Sequence, residues 1–219
     1  MNPLLLLSTS LGLGTLAGLN LYLVTCMTGL AIRFDLLQVS GKFQNFEILS
    51  NPWIIGISGA MYFVEFMADK IPGLDSVWDA IHTGIRPIGA MAISLGSLGA
   101  VSTEWSILAA LLAGTASATA HTAKMGTRLA ANASPEPISN LVLSLAEDAT
   151  VATGTILLLK YPYLTGGLCL LVVIALWMVI PRIFRKVGGV FKALRNRFSC
   201  RQKQPPELTH GAWDQHHDA

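Results

Sequence analysis

The sequence has little charge for its length. Charged residues make up 13% of the 219 residues, against roughly 25% in soluble domains, whereas apolar residues make up 52%. Three cysteines, Cys26, Cys169 and Cys200, are too few for a disulfide framework. The chain has no phosphate-binding glycine loop, no His-Glu-x-x-His motif, no nucleophile elbow and no cysteine–histidine cluster. These absences predict no cofactor and make an enzyme the less favoured class, and they leave metal binding open.

Long segments without charge are what the sequence has instead. A transmembrane helix needs about 20 apolar residues to cross a hydrocarbon core of about 30 Å. Six segments qualify as candidate spans: Met1–Ile32, Ile48–Val64, Pro87–Thr103, Trp105–Ala123, Pro137–Leu159 and Tyr161–Pro181. The sequence therefore predicts an all-α, polytopic transmembrane helical bundle of about six spans within residues 1–181. Because no basic region precedes the first apolar run, we expect no secretory signal peptide.

Glu147 and Asp148 stand side by side in the middle of the fifth candidate span. Ten uncharged residues precede the pair and eleven follow it. A carboxylate at mid-depth in a bilayer costs roughly 2.5–3.5 kcal/mol on insertion scales, so the pair is expected to face a bundle interior, a cavity or a cationic partner. Asn140 and Ser144 lie close to Glu147 on the helix surface and give it a polar surrounding.

The order of the segments fits two inverted three-span halves. Each half has a small-residue span, a carboxylate-bearing span and a plain apolar span, and Glu65 and Glu147 fall in the corresponding second spans. An odd number of spans in each half inverts the second half relative to the first. The first run is too long for one span, since 32 residues make a helix of about 48 Å. It either tilts strongly or breaks near Gly18–Asn20.

Two groups of charged residues follow the spacing of a helix face. The first group is spaced four, three and four residues apart: Asp75, Asp79, His82 and Arg86. On a continuous helix these residues lie within an arc of about 60°. Glu65 and Asp69 form an i, i+4 pair upstream. Acids with an imidazole and a guanidinium suit a proton relay or cation coordination. A solvated face of an interfacial helix is the alternative.

The second group is cationic. His121, Lys124 and Arg128 are spaced three and four residues apart, so they share one helix face near the end of a span. This face can neutralise Glu147 or Asp148 and form a buried ion-pair network. In the alternative, Lys124 and Arg128 extend to the lipid head groups.

The C-terminal region is basic. Eight basic residues follow the last candidate span, and residues 182–219 carry a net charge of +5. Residues 182–203 predict an amphipathic helix on an anionic membrane surface, with a frayed tail as the alternative, and residues 204–219 predict a disordered tail. The residues predicted to contact lipid are Arg182, Arg185, Lys186, Lys192, Arg195 and Arg197.

Two motifs carry a family resemblance. The first runs from Val64 to Ser76 and continues from Trp78 to Pro87. The second comprises His121, Lys124, Arg128, Asn132, Ser134 and Ser144–Asp148. Together they resemble a bacterial integral membrane protein family catalogued as domain of unknown function 4126, over roughly Gly18 to Leu159. The resemblance implies a membrane protein and no particular activity.

The glutamate–aspartate–lysine order in the first motif is also similar to the acidic motif of cation/proton exchangers, which have two inverted halves. The match is imperfect, because Glu65 and Asp69 are four residues apart and Ala68 stands where a glycine is expected.

These features favour a secondary transporter or permease of the inner cell membrane. Its site for protons or a small cation is predicted to comprise Glu65, Asp69, Glu147 and Asp148. The side chains predicted to tune that site are Asp75, Asp79, His82, Arg86, His121, Lys124, Arg128, Asn140 and Ser144. The alternatives are a non-transporting scaffold with buried ion pairs, and an interfacial enzyme acting on lipid head groups. The expected partners are the bilayer and its anionic lipids, with no nucleic acid, and a homo-oligomer is left open.

The basic tail generates a prediction about topology. The positive-inside rule places a segment this rich in lysine and arginine in the cytoplasm. A reporter fused after Ala219 should therefore be active when it requires a cytoplasmic location and inactive when it requires the periplasm. Strong periplasmic activity would reverse the predicted orientation.

Overall fold

The chain forms a helical bundle. The computed structural model describes residues 2–36, 44–71, 73–97, 101–132 and 137–201, except for the side chains of residues 44–46, 132, 137–140 and 183–201. Within these residues there is no β-strand. A 3-10 helix spans Gln44–Ser50, and the α-helices are α1 Pro3–Arg33, α2 Pro52–Ala68, α3 Leu74–Gly96, α4 Thr103–Asn132, α5 Pro137–Lys160 and α6 Pro162–Arg201. The predicted all-α bundle is confirmed.

Local sequence explains where several helices begin. Asn2 Oδ1 accepts from Leu4 N and Asn51 Oδ1 accepts from Trp53 N, both at 2.9 Å, and a proline follows each asparagine. A capping asparagine and a proline at the first helical position satisfy or remove amide groups that lack partners there. Gly73, with φ of 89°, precedes α3. This left-handed backbone conformation is one that glycine adopts without steric cost.

Three helices are long and apolar enough to cross a membrane. They are α1, the Leu141–Lys160 part of α5 and the Pro162–Arg182 part of α6. Helix α2 is also apolar but shorter, at 17 residues. The apolar helices indicate a membrane protein, and a polytopic bundle is consistent with them. The count of six spans and the inversion of two halves stay predictions.

Helix α1 lies at the centre of the bundle and contacts α2, α3, α4 and α5. Its helical path is interrupted at Asn20, whose φ of −151° and ψ of 98° are extended. Asn20 Oδ1 accepts a hydrogen bond from Leu23 N at 2.9 Å, so this side chain caps the second half of α1. Of the two possibilities for the first apolar run, the structure therefore has the break.

The polarity of α3 is reversed relative to a helix of a soluble protein. Asp79 and Arg86 are buried, whereas Ile81, Ile85 and Ile88 on the other side are 42–68% exposed. In water this arrangement would bury charge and expose large apolar side chains, which is unfavourable on both counts. It suits an apolar surrounding with a polar bundle interior.

The C-terminal part divides from the bundle. By their internal contacts, residues 1–178 form one unit and residues 179–219 form another. The backbone is helical to Arg201. Apart from Arg182, the side chains predicted to contact lipid lie outside the described residues, as does the predicted disordered tail of residues 204–219. Lipid contact by this segment stays a prediction.

Small residues let α1 and α4 approach closely. A Cβ atom built on Gly14 would lie 2.6 Å from Ala113 Cα, and one built on Gly18 would lie 2.9 Å from Ser117 Cα. Backbone atoms cannot move aside as a side chain can, so even a methyl group at Gly14 has no space. Small residues at helix contacts serve this purpose in membrane proteins generally.

This contact predicts that Gly14→Ala destabilises the protein. Overpacking of this kind typically costs about 1–3 kcal/mol. Gly84→Ala in α3 is the matched control, because no heavy atom lies within 4 Å of a Cβ there and alanine favours a helix. Thermal unfolding of both variants in detergent should show a lower Tm for Gly14→Ala only. Equal Tm values would mean that this helix contact is not tight.

Candidate functional site

Charged side chains from α2, α3, α4 and α5 meet beside the break in α1. The charge network comprises Glu65, Asp69, Asp75, Asp79, Arg86, Lys124, Arg128 and Glu147. The side chains of its residues are 0–3% exposed, except for Glu147 at 11%. The two predicted stripes thus face the same interior volume.

Arg86 joins α3 to α1, α2 and α4. Its Nη2 atom lies 2.7 Å from Glu65 Oε1, and its Nη1 atom donates to the carbonyl of Gly18 at 3.1 Å. It also lies 3.1 Å from Asp79 Oδ1 on its own helix. Because Arg86 and its neighbours on this face are buried, the prediction of a solvated face on α3 is wrong.

His121 accepts a hydrogen bond from this arginine. Arg86 Nη1 lies 2.6 Å from His121 Nδ1, and a guanidinium can only donate, so Nδ1 carries no proton. The proton of the neutral ring is then on Nε2, which donates to the carbonyl oxygen of Asp79 at 3.0 Å. This arrangement holds His121 in one neutral tautomer and fixes the distance between α3 and α4.

Lys124, like Arg128, lies within 4.0 Å of four carboxylates. Its Nζ atom is 3.0 Å from Leu19 O, 3.2 Å from Asp69 Oδ2, 3.4 Å from Glu65 Oε1, 3.5 Å from Glu147 Oε2 and 3.9 Å from Asp79 Oδ1. We call these five groups the Lys124 shell. Glu65 and Glu147, which the sequence assigns to one site, contact the same ammonium group.

Arg128 connects α4 to both carboxylate-bearing helices. Its Nη2 atom lies 2.9 Å from Asp69 Oδ2 and 2.6 Å from Glu147 Oε2, and its Nη1 atom donates to the carbonyl oxygen of Asp69 at 3.0 Å. Lys124 and Arg128 are 2% and 1% exposed. The alternative in which both reach the lipid head groups is therefore wrong.

Asp148 lies at the break in α1, beside the charge network. Asn20 Nδ2 donates to Asp148 Oδ1 at 3.2 Å, while Oδ1 of the same amide accepts from Leu23 N and caps the second half of α1. The carboxylate is thus held near the start of a helix, where the unpaired amide groups give a positive potential. The carbonyl oxygens at the end of the first half, those of Gly18 and Leu19, accept from Arg86 and Lys124.

The remaining predicted residues have more local roles. Asp75 Oδ1 accepts from Gly73 N at 2.8 Å and Ser76 N at 2.6 Å, so it also organises the start of α3. Ser144 is buried, and its hydroxyl makes no hydrogen bond within the described part of the chain. Asn140 falls outside the described side chains.

His82 lies at the edge of the network with a partner that the sequence did not indicate. The Tyr22 hydroxyl lies 2.9 Å from His82 Nε2, and the ring stacks on Trp78 with 4.4 Å between ring centroids. His82 Nδ1 lies 2.8 Å from the Trp78 carbonyl oxygen, so Nδ1 carries a proton. The signal in the sequence is the presence of two polar side chains, Asn20 and Tyr22, just after a glycine-rich segment.

The charges of the network do not balance. Among the described residues, five carboxylates lie within 4.0 Å of three cations, Arg86, Lys124 and Arg128. With all groups ionised, this leaves two negative charges in excess. No group of three or more histidine, cysteine, aspartate or glutamate side chains in the described chain is arranged to hold a metal ion.

The central position of Arg86 generates a stability prediction. Arg86→Gln removes the cation beside Glu65 and Asp79 and a donor to the Gly18 carbonyl, and breaking a buried pair in this way typically costs about 3–5 kcal/mol. Arg33→Gln is the control, because Arg33 is exposed and only donates to the Ser50 carbonyl at 3.3 Å. Unfolding of the detergent-purified variants should show a large loss for Arg86→Gln and about 0.5 kcal/mol or less for Arg33→Gln.

Comparison with known proteins gives one finding. The sequence matches the family described as Domain of unknown function (DUF4126) over residues 7–182, a range that includes every residue of the charge network. No curated protein and no solved structure matches the chain. Since the match covers well over half of the chain and agrees with the resemblance carried by the two motifs, the protein belongs to this family, and its charge network lies inside the matched region.

Proposed function

We propose that the protein is a secondary transporter or permease that binds a proton or a small cation at the charge network. The observation that carries this proposal is the excess of carboxylates, five against three cations. An isolated ionised group inside an apolar medium is so costly that it is neutralised instead. Protons or a bound cation supply the missing positive charge, and a group that can gain and lose them is what a carrier needs.

The break in α1 supports the same proposal. Transporters often place their sites where a membrane helix is discontinuous, because the freed carbonyl groups and helix ends act as ligands. Here the carbonyl oxygens of Gly18 and Leu19 bind cationic side chains, and Asp148 lies beside Asn20 at the start of the next half.

Access is proposed from the side of α5. Glu147 has the most exposed side chain among the carboxylates of the ion pairs, at 11%, whereas those of Glu65, Asp69 and Asp79 are 0–3% exposed. Asp148 is also only partly buried. A proton or cation entering the bundle would therefore reach Glu147 and Asp148 first and the inner carboxylates afterwards.

We propose that the protein crosses the membrane six times. Its C-terminus then lies in the cytoplasm, and the membrane is the inner membrane of the cell that makes the protein. Helices α3 and α4, with 23 and 30 residues, have lengths of about 34 Å and 45 Å, enough for a hydrocarbon core. Their charges face the interior, which is how charged residues are accommodated in membrane helices.

A scaffold with structural ion pairs is the second candidate. It is favoured by the short, buried contacts of Arg86 with Glu65 at 2.7 Å and of Arg128 with Glu147 at 2.6 Å. The interfacial enzyme is not favoured, because its residues would have to reach a lipid head group, yet Asp75, Asp79, His82 and Arg86 are at most 2% exposed.

Glu147→Gln separates the two candidates. If the network binds a transported proton or cation, this variant should remain folded and extractable but lose cation-driven proton flux in reconstituted vesicles, because the amide does not titrate. Glu104→Gln is the matched control, since Glu104 is exposed at the start of α4, and its flux should equal that of the unmodified protein. Flux is read from the collapse of an imposed pH gradient after addition of Na⁺ or K⁺.

The scaffold predicts a different result for the same variant. Loss of the Glu147 carboxylate leaves Arg128 and Lys124 with one partner fewer, and a buried charge stranded in this way typically costs about 3–5 kcal/mol. A Glu147→Gln protein that unfolds at lower temperature, together with an unmodified protein that shows no flux, would contradict the transport proposal.

A further inference from the structure

The surroundings of Lys124 are those of a bound cation. Four carboxylates from α2, α3 and α5, including Asp69 just after α2, and one backbone carbonyl from α1 surround its Nζ atom at 3.0–3.9 Å. An ammonium group has three N–H donors, so this shell offers more acceptors than Lys124 uses. We propose that the Lys124 shell is a binding site for a free monovalent cation of ammonium size, and that the Lys124 ammonium is the tethered occupant with which that cation competes. This inference rests on the proposed function and names its ligand class.

The distances select the class of cation. Mg²⁺ is bound by oxygens at about 2.0–2.1 Å and Ca²⁺ at about 2.3–2.6 Å, both much shorter than the distances in the Lys124 shell. Ammonium and primary alkylammonium ions make N–H···O contacts of the length that Lys124 makes here, and K⁺ has nearly the same radius as ammonium.

Asp79 gives an independent reason to expect a further ligand. It is 1% exposed, yet neither of its carboxylate oxygens has a hydrogen-bond partner in the described part of the chain. It faces Lys124 Nζ at 3.9 Å and Arg128 Nε at 4.0 Å, and Arg86 approaches to 3.1 Å outside hydrogen-bond geometry. A buried carboxylate usually accepts hydrogen bonds, so Asp79 has acceptor capacity directed into the shell.

The position of the shell fits exchange between the two occupants. Glu147 belongs both to the shell and to the more accessible side of the network, with its side chain 11% exposed. A free cation that binds there contacts Glu147, which already contacts Lys124. Binding of the cation therefore weakens the interaction between Glu147 and the Lys124 ammonium. The excess negative charge of the network favours the free cation during this exchange.

Removal of the tether tests the inference. Lys124→Ala should unfold at a Tm about 10 °C lower in choline chloride, because the carboxylates lose their shared cation. Ammonium, methylammonium or potassium chloride at equal ionic strength should restore at least half of this loss in a saturable manner, whereas magnesium chloride should not. The unmodified protein should show a smaller shift at higher concentration, and Lys160→Ala, which removes an exposed lysine and leaves the shell intact, should behave like the unmodified protein.

The absence of any difference between ammonium and choline would overturn the proposal, as would a larger recovery with magnesium. If Lys124→Ala does not accumulate, the double variant Lys124→Ala/Glu147→Gln removes one charge of each sign and is measured in the same way. There too, a Tm that does not respond to ammonium overturns the site. The stability measurement and the flux measurement test different proposals. If ammonium restores the Tm but no flux is seen, the transport proposal is rejected and the cation site stands. If flux is seen but ammonium does not restore the Tm, the cation site is rejected and the transport proposal stands.

Discussion

Three cations inside the bundle, Arg86, Lys124 and Arg128, hold the rest of the structure in place. Each is buried where water cannot solvate it, so each must find carboxylates or carbonyl oxygens within the protein. No single helix supplies enough of them. Arg86 therefore binds groups on α1 and α2, and Arg128 binds groups at the end of α2 and on α5. The relative positions of five helices, α1 to α5, follow from the need to satisfy three side chains.

The same need accounts for the break in α1. A continuous helix keeps its carbonyl oxygens in its own hydrogen bonds, whereas a helix interrupted at Asn20 frees those of Gly18 and Leu19 for Arg86 and Lys124. The asparagine limits the cost of the break, since its side chain caps the second half and also donates to Asp148. The tight contact of Gly14 and Gly18 with α4 places the freed carbonyls within reach of the α4 lysine.

Sequence periodicity predicted which side chains share a face, and it could do so because the 3.6-residue repeat depends only on local geometry. The stripe ending at Arg86 and the cationic face of α4 were both correct. The pairing of the α4 face with Glu147, one of the possibilities that the sequence offers, is found in the structure. The partners of Arg86 were not predictable, because pairing depends on how the helices rotate and approach one another. Lys124 is an example. From the sequence alone, its long side chain could equally well reach the lipid head groups, and it points into the bundle because carboxylates of Asp69 and of α5 lie close to it. The sequence does not decide between a break in α1 and a continuous, tilted helix, because glycine-rich membrane helices usually continue.

The balance of charge distinguishes a network that holds helices together from one that also binds something. A structural network is most stable when its charges cancel, because every unpaired charge raises its energy in a medium of low dielectric constant. Here Glu147 and Asp69 share Arg128, Glu65 and Asp79 share Arg86, and Lys124 contacts all four. Each cation is therefore divided among several carboxylates, and Asp79 is left with unused acceptors. A bundle selected only for stability would gain by losing one of these acids, and this is why the excess negative charge supports the proposed cation site.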